Sequence, residues 1–351
     1  MNSTKLLSAV LRGKWLIDPV FAMSQGAVIA NILNPATIFS GAEVKKPSAY
    51  AVSPKAVSSV QYSYRDGFSN APKNSIAVIL ISGPLMKEDQ YCGPIGMQQI
   101  GQIIKMADSC PNIDGMVLQI DSPGGTVDGT ETLGNIVRNA QKPVVTFVDG
   151  QMCSAALWIG SSADEVIAST DTDEIGSVGV LVQFADMQPY FEKQGVTFHI
   201  VKASTSIDKV KMWEDLRTGK YDDYIKEILD PLDEKFMNTI RANCTNVQDK
   251  HLTGKVFFAR DVMGVYVNSI GTIDDAILRA SVLAPGKKNK ATFIRSLSQT
   301  SIKHLNHKSF SAKEYDWTND PAWAEDNNLA NEANWDIINN LPHNIEVDKN
   351  M

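Results

Sequence analysis

Between residues 75 and 170, short apolar runs alternate with amphipathic stretches. "SIAVILISG" (75–83), "IDGMVLQIDS" (113–122), "KPVVTFVDG" (142–150) and "EVIAST" (165–170) are short and bounded by turn residues, which predicts buried strands. "GMQQIGQIIKMADS" (96–109) repeats its apolar positions near every 3.6 residues, which predicts a helix. "TVDGTETLGNIVRNAQ" (126–141) and "SAALWIGSSA" (154–163) read as helices too. The alternation continues with "FADMQPYFEKQG" (184–195) as helix and "VTFHIVKA" (196–203) as strand. Strands that alternate with helices imply parallel pairing through helical crossovers. "DDYIKEILDPLDEKFMNTIRANC" (222–244) predicts one long helix, with Pro231 kinking it or lying in its first turn.

The flanks differ in texture. Residues 43–75 are rich in Ser, Lys, Pro, Tyr and Asn and predict an extended linker. Upstream, Asp18, Pro19, Gln25, Asn31, Asn34 and Pro35 interrupt the apolar residues of 15–39, so no membrane span is expected. Lys5, Arg12 and Lys14 imitate the basic start of a signal peptide, but the following stretch is too polar for one. After "PGKKNK" (285–290) the chain turns basic, then acidic and Asn-rich. Trp317, Trp323 and Trp335 lie there, and aromatics are depleted in disordered chains, so a partner-docking tail is expected. The expected division is an arm and linker over 1–74, a catalytic domain over 75–284 and a tail over 285–351.

Composition narrows the function classes. With 43% hydrophobic and 21% charged residues, a large core is possible. The net charge of −7 argues against nucleic acid as the main partner, since phosphate binding needs a basic face. Cys92, Cys110, Cys153 and Cys244 show no CxxC spacing, which suits free thiols in a reducing compartment and gives no zinc pattern.

Ser154 stands where a strand gives way to a helix. It is either an ordinary N-cap or a nucleophile whose neighbour Ala155 offers an N–H to an oxyanion. "DSPGG" (121–125) ends another strand, where open α/β sheets bind ligands, and Gly124 and Gly125 allow close backbone approach. It is either a tight turn or a second wall of the same site. A serine nucleophile needs a base. Of the histidines, His304, His307 and His343 are in the tail, His251 is in a loop and His199 is in a predicted strand. Lys202, Lys209 and Lys211 are better placed, and a lysine serves as base where its surroundings favour the neutral amine. Ser177, between Gly176 and Gly179, is a turn serine or a hydroxyl that orients such an amine.

Taken together and in this order, "DSPGG", "MCSAALWIG", "IGSVGV" and "VKASTSIDKVK" resemble the signal peptide peptidase A family of serine peptidases, including its bacteriophage head-maturation members. The closing segment "GKVFFARDVMGVYVNSIGTIDDAI" resembles the family's last motif, with "GTIDD" in place of its usual turn. The resemblance covers about residues 75–279. It implies an α/β fold of the Clp protease/crotonase type, a repeated β-β-α superhelical core with an N-terminal arm and a C-terminal tail. It puts the catalytic serine on Ser154, the lysine-orienting serine on Ser177 and the oxyanion donors on Ala155 and on Gly125 or Gly124. The base falls on Lys209, with Lys211 as rival because the loop is longer than usual and lacks its usual glycine. Where family members often carry Gly-Tyr, this chain has Ala156-Leu157. The implied activity is peptide hydrolysis through an acyl-enzyme, with no metal or cofactor. The implied partners are a polypeptide substrate, other copies in a homo-oligomer, and phage scaffold or capsid proteins. The implied location is the cytoplasm, or a phage procapsid. Two alternatives stay open: a degenerate scaffold or assembly protein, and a crotonase-type acyl-CoA enzyme.

Overall fold

The apolar runs become neighbouring strands because helices cover them on both faces. The computed structural model describes residues 48–53, 56–63, 65–89, 94–184, 186 and 188–285, with the backbone alone at 56–58, and also the backbone of 14–17. In chain order the strands are β1 (Lys14–Ile17), β2 (Ala49–Ser53), β3 (Ala56–Gln61), β4 (Ser75–Ser82), β5 (Ile113–Ser122), β6 (Gly124–Thr126), β7 (Val144–Cys153), β8 (Glu165–Ala168), β9 (Glu174–Gly176), β10 (Leu181–Val182), β11 (Val256–Phe258) and β12 (Ser269–Ile270). The main helices are α1 (Met97–Ser109), α2 (Thr130–Arg138), α3 (Ala155–Gly160), α4 (Gln188–Lys193), α5 (Lys211–Arg217), α6 (Asp230–Asn243) and α7 (273–285).

The large sheet runs β11-β9-β7-β5-β4-β2-β3. Pairing is parallel through β4, β5 and β7. Alternate residues of these strands face opposite layers. Ile76, Val78, Val117, Val145 and Phe147 pack with Ala276, Ile277 and Ala280 of α7. Ala77, Ile79, Met116, Leu118, Val144 and Val148 pack in the other layer with α1, α2 and α3. Two covered faces explain runs with almost no polar alternation.

One edge of β7 is shared, and this fork places the site. Residues 145–148 pair with β8, whereas residues 151–153 pair with β9. On the other side, β5 shifts register after Ile120, and the chain leaves the large sheet as β6. β6 belongs to a small sheet of order β10-β1-β6. Each repeat therefore has a long strand, a short strand that departs from it and a covering helix.

Several expectations are revised. The stretch read as linker contains β2 and β3, and β2 pairs antiparallel with β4. Its period-2 burial sits on small residues, Ala49, Ala51 and Ser53, which a hydrophobicity pattern barely registers. The helix expected from residue 126 starts only at Thr130, because residues 124–126 are a strand and Gly129 takes φ +98°. Residues 196–203 are neither strand nor helix, and Val201 is 96% exposed. The long helix at 222–244 carries a π-helical turn, Ile225–Leu229, just before Pro231. Proline supplies no N–H to the preceding turn, and the wider turn accommodates that loss. Most of the expected N-terminal arm, and the tail beyond 285 with Trp317, Trp323 and Trp335, lie outside the described residues. Among the described residues no helix is long and apolar enough to cross a membrane.

Phe236 of α6 is fully buried and stacks on Trp158 of α3 at 5.1 Å between ring centroids. Phe236→Ala should cost about 3–5 kcal/mol in urea unfolding. A loss under about 1 kcal/mol, the range of a surface change, would show that α6 does not brace α3.

Candidate active site

β7 ends at Cys153 and α3 begins at Ala155, so Ser154 makes the strand-to-helix turn alone. Its φ of +55° and ψ of −118° belong to a conformation that L side chains rarely take. Such strain costs on the order of 1–3 kcal/mol and persists only where the surroundings impose it. Here the Ser154 N–H donates to the Gly176 carbonyl at 2.8 Å, and the Ser154 carbonyl accepts from the Trp158 N–H at 3.0 Å. An N-cap serine would turn its hydroxyl onto the first helical N–H groups. Ser154 makes no such bond. Its Oγ is fully buried and has no hydrogen-bond partner among the described residues. A buried, unsatisfied hydroxyl on a strained turn contributes no structural hydrogen bond of its own.

Ser177 repeats the geometry next door. Cys153 pairs with Gly176, so the two serines flank one rung of the β7–β9 ladder. Ser177 is buried at φ +56°, and its N–H donates to the Lys255 carbonyl at 2.8 Å. β11 closes over this turn by antiparallel pairing with β9. A Cβ on Gly176 would lie 2.5 Å from the Lys255 carbonyl oxygen, so that approach requires glycine.

The glycine pair resolves into two roles. Ser122 Oγ donates to the Gly83 carbonyl at 2.7 Å and accepts the Gly124 N–H at 3.2 Å. The Gly124 N–H is therefore engaged within its own loop. Gly125 lies against Leu85: the Leu85 N–H donates to the Gly124 carbonyl, and the Thr126 N–H donates to the Leu85 carbonyl, both at 2.8 Å. In an extended strand, backbone groups of successive residues point to opposite sides. The N–H and carbonyl of Gly125 thus point away from Leu85, into the cleft. A Cβ here would lie 1.8 Å from Leu85 O.

None of the candidate lysines bonds to Ser154 Oγ. Lys209 is exposed, and its Nζ makes no hydrogen bond or ion pair among the described residues. Since Ser154 Oγ has no partner, this structure does not join the two groups. Lys211 opens α5 and is paired with Asp215 and Asp223 at 4.0 and 3.5 Å. Lys202 Nζ donates to the Ile207 and Lys209 carbonyls at 3.2 and 3.4 Å, so it braces the loop. His199 is on exposed chain, and buried His251 accepts the Gln248 N–H at Nδ1, a structural bond.

Three contributors carried no sequence signal of their own. Leu85 and Lys255 act through their carbonyls. Asp233 of α6 has a buried Oδ1 without a partner among the described residues, and burial, and then Asp230, hold its carboxyl above the usual range. Trp158, Val127, Val180 and Leu232 line a cleft of about 670 Å³ beside the Ser154 helix. The described residues include no cluster of His, Cys, Asp or Glu able to hold a metal ion.

Family comparison bears on this geometry. The model of peptidase family S49 matches residues 136–285, a span holding Ser154, Ser177 and Lys209. Over that span, which is under half of the chain, the sequence is similar to peptidase family S49. The Clp protease model matches residues 91–172, which include the glycine pair. The α/β fold of these residues is accordingly of the Clp protease type. "Protease 4" of Haemophilus influenzae is 26% identical over 63% of this chain and 37% of its own length. "Capsid assembly protease C" of Escherichia phage lambda is 32% identical over 36% of this chain and 30% of its own length. The chain therefore spans well under half of either relative. The solved structure of a ClpP1 point mutant from Listeria monocytogenes aligns over 57% of this chain and 94% of that one, at 15% identity and TM-score 0.34.

Gly125 and Gly179 separate crowding from glycine content. Gly125→Ala drives a methyl into the Leu85 backbone, whereas the nearest atom to a Cβ on Gly179 is 3.7 Å away. Thermal unfolding and fluorophosphonate labelling of Ser154 should both collapse in Gly125→Ala and stay near wild type in Gly179→Ala. Equal behaviour of the two variants would remove the assigned role of the Leu85–Gly125 contact.

Proposed function

We propose that the protein is a serine endopeptidase in which Ser154 is the nucleophile and Lys209 the base. The observation that carries this reading is the buried Ser154 hydroxyl, which has no partner and sits on a strained turn that spends no bond on capping. Lys209 takes the Oγ proton as Oγ attacks the substrate carbonyl carbon. Gly125 N–H and Ala155 N–H bind the oxyanion, and Ala155 is free to do so because the first N–H groups of a helix lack intrahelical acceptors. The tetrahedral species collapses, the lysine returns its proton to the leaving amine, and water hydrolyses the acyl-enzyme. The Ser177 hydroxyl orients the lysine amine. Gly124 serves the loop and not the oxyanion. No step requires a metal or cofactor.

The lysine reaches Ser154 through assembly. The segment expected as a strand exposes Phe198, Ile200 and Val201, and the loop after it exposes Ile207 at 69%. An apolar run of this kind marks an interaction surface. A second copy packing on it would desolvate Lys209, which favours the neutral amine a base requires. The homo-oligomer is thus part of the active form. The polypeptide substrates are those of head maturation, scaffold and capsid proteins, in the cytoplasm or a procapsid. Support comes from the relatives "Capsid assembly protease C" and, at 28% identity, "Head-tail preconnector protein GP5" of Enterobacteria phage P21.

The exposed, unpaired Lys209 favours one rival, an inactive scaffold descended from a peptidase. Ser154→Ala and Lys209→Ala should each lower peptide turnover by at least about 1000-fold, the scale expected when a nucleophile or base is removed. Lys211→Ala should stay within about threefold of wild type. Fluorophosphonate should label the wild type and not Ser154→Ala. Absence of labelling at every protein concentration would establish the scaffold instead.

Mixing Ser154→Ala with Lys209→Ala tests assembly separately. Regained turnover shows that a base from one copy serves the serine of another. If both variants stay inactive when mixed while the wild type is active, the dyad closes within one chain.

A further inference from the structure

β6 and β10 flank a gap, and β1 fills it, antiparallel to both. Trp15, Leu16 and Ile17 stand opposite Thr126, Gly125 and Gly124. On the other side, Lys14 and Trp15 stand opposite Val182 and Leu181. The direction is defined: the segment runs toward the glycine pair. The bonding pattern is defined as well. Because Gly125 points its N–H and carbonyl away from Leu85, its partner across the ladder is Leu16. Backbone groups alternate sides along a strand, so those of Trp15 point to Leu181. The Leu16 carbonyl therefore faces the N–H assigned above to the oxyanion. A second observation agrees: Ser154 is 0% exposed, so a substrate cannot reach the hydroxyl while the cleft is arranged this way.

We infer that Lys14–Ile17 is a resident substrate-like strand, held by its main chain in the groove that takes polypeptide substrates, with Leu16 in the acyl position. The inference rests on the peptidase reading and adds the occupant. An extended segment gripped from both sides by backbone groups is recognised without regard to most of its side chains. The Leu16–Ile17 bond is the one presented to Ser154, and any external peptide must displace this strand. Apparent affinity falls by the fraction of molecules whose groove is empty.

Leu16→Pro in the full chain removes the N–H that pairs with Gly125 and leaves every residue of the catalytic machinery in place. The KM for a short peptide should fall by at least about fivefold, with kcat changed less than about twofold, because an occupied groove weakens binding and not the chemical step. Hydrogen exchange read by mass spectrometry gives a measurement independent of turnover. In the Ser154→Ala background, peptides covering Gly124–Val127 and Leu181–Val182 should exchange slowly, and faster once Leu16→Pro is added. A synthetic peptide of residues 12–18 should restore the protection. Trp15→Pro, which cuts the contact to β10, should act in the same direction, and an unchanged unfolding temperature checks that both variants fold. Cleavage between Leu16 and Ile17 in the wild type, seen by intact mass, would support the assignment. Unaltered KM and unaltered exchange in both folded variants would overturn it. If no Ser154 labelling occurs in any variant, the peptidase reading fails, and the exchange data still decide the occupant.

Discussion

The backbone of Leu85 passes so close to Gly125 that no side chain fits between them: a Cβ would lie 1.8 Å from the Leu85 carbonyl oxygen. Much of the site depends on this contact. The two hydrogen bonds from Leu85 occupy the Gly124 carbonyl and the Thr126 N–H, which leaves Gly125 to present its own groups on the opposite side. The same bonds pull β6 out of the large sheet after β5 and create one wall of the cleft. The opposite wall has an equivalent constraint at Gly176, whose missing side chain admits the Lys255 carbonyl and sets the Ser177 turn. Ser154 hangs between the walls, its N–H held by Gly176. Two close backbone approaches, each requiring glycine, thus fix the relative positions of the Gly125 backbone, Ser154 and Ser177.

Much of this was legible in the sequence, and the limit has a physical origin. The strands β4, β5, β7 and β8 are buried where they pair, so their apolar runs announced them. The positions of Gly124, Gly125, Ser154 and Ser177 at strand ends followed from the same pattern. The choice between Gly124 and Gly125 did not, because it turns on Ser122 Oγ accepting one N–H and leaving the other. Nor did the choice between a capping and a reactive Ser154, since both have the same residue at the same turn. β2 escaped notice because small residues supply its buried face, and β1 because its pairing relies on backbone groups.

The segment 196–203 shows the opposite failure. Its alternation is that of a strand, with Val196, Phe198 and Ile200 on one parity, yet it pairs with no strand among the described residues, and those residues are exposed. A strand pattern describes a surface that wants a partner; it does not say that the partner is in the same chain. Lys209 follows this segment on equally exposed chain.

Each wall of the groove has an anchor outside the groove. A two-residue strand such as β10 has no stability of its own. The chain leading into it is held where the Gly254 N–H donates to the Val178 carbonyl, as β6 is held by Leu85. Both walls are thereby fixed by groups that no ligand touches. A preformed pair of edges binds an extended chain without first ordering itself, which reduces the entropy lost on binding. The same rigidity makes the groove indiscriminate toward any extended segment near it, including one from its own N-terminal region. Occupation of the cleft by β1 is thus a direct consequence of walls built to accept backbone, and an external substrate gains access only by offering more than these four residues do.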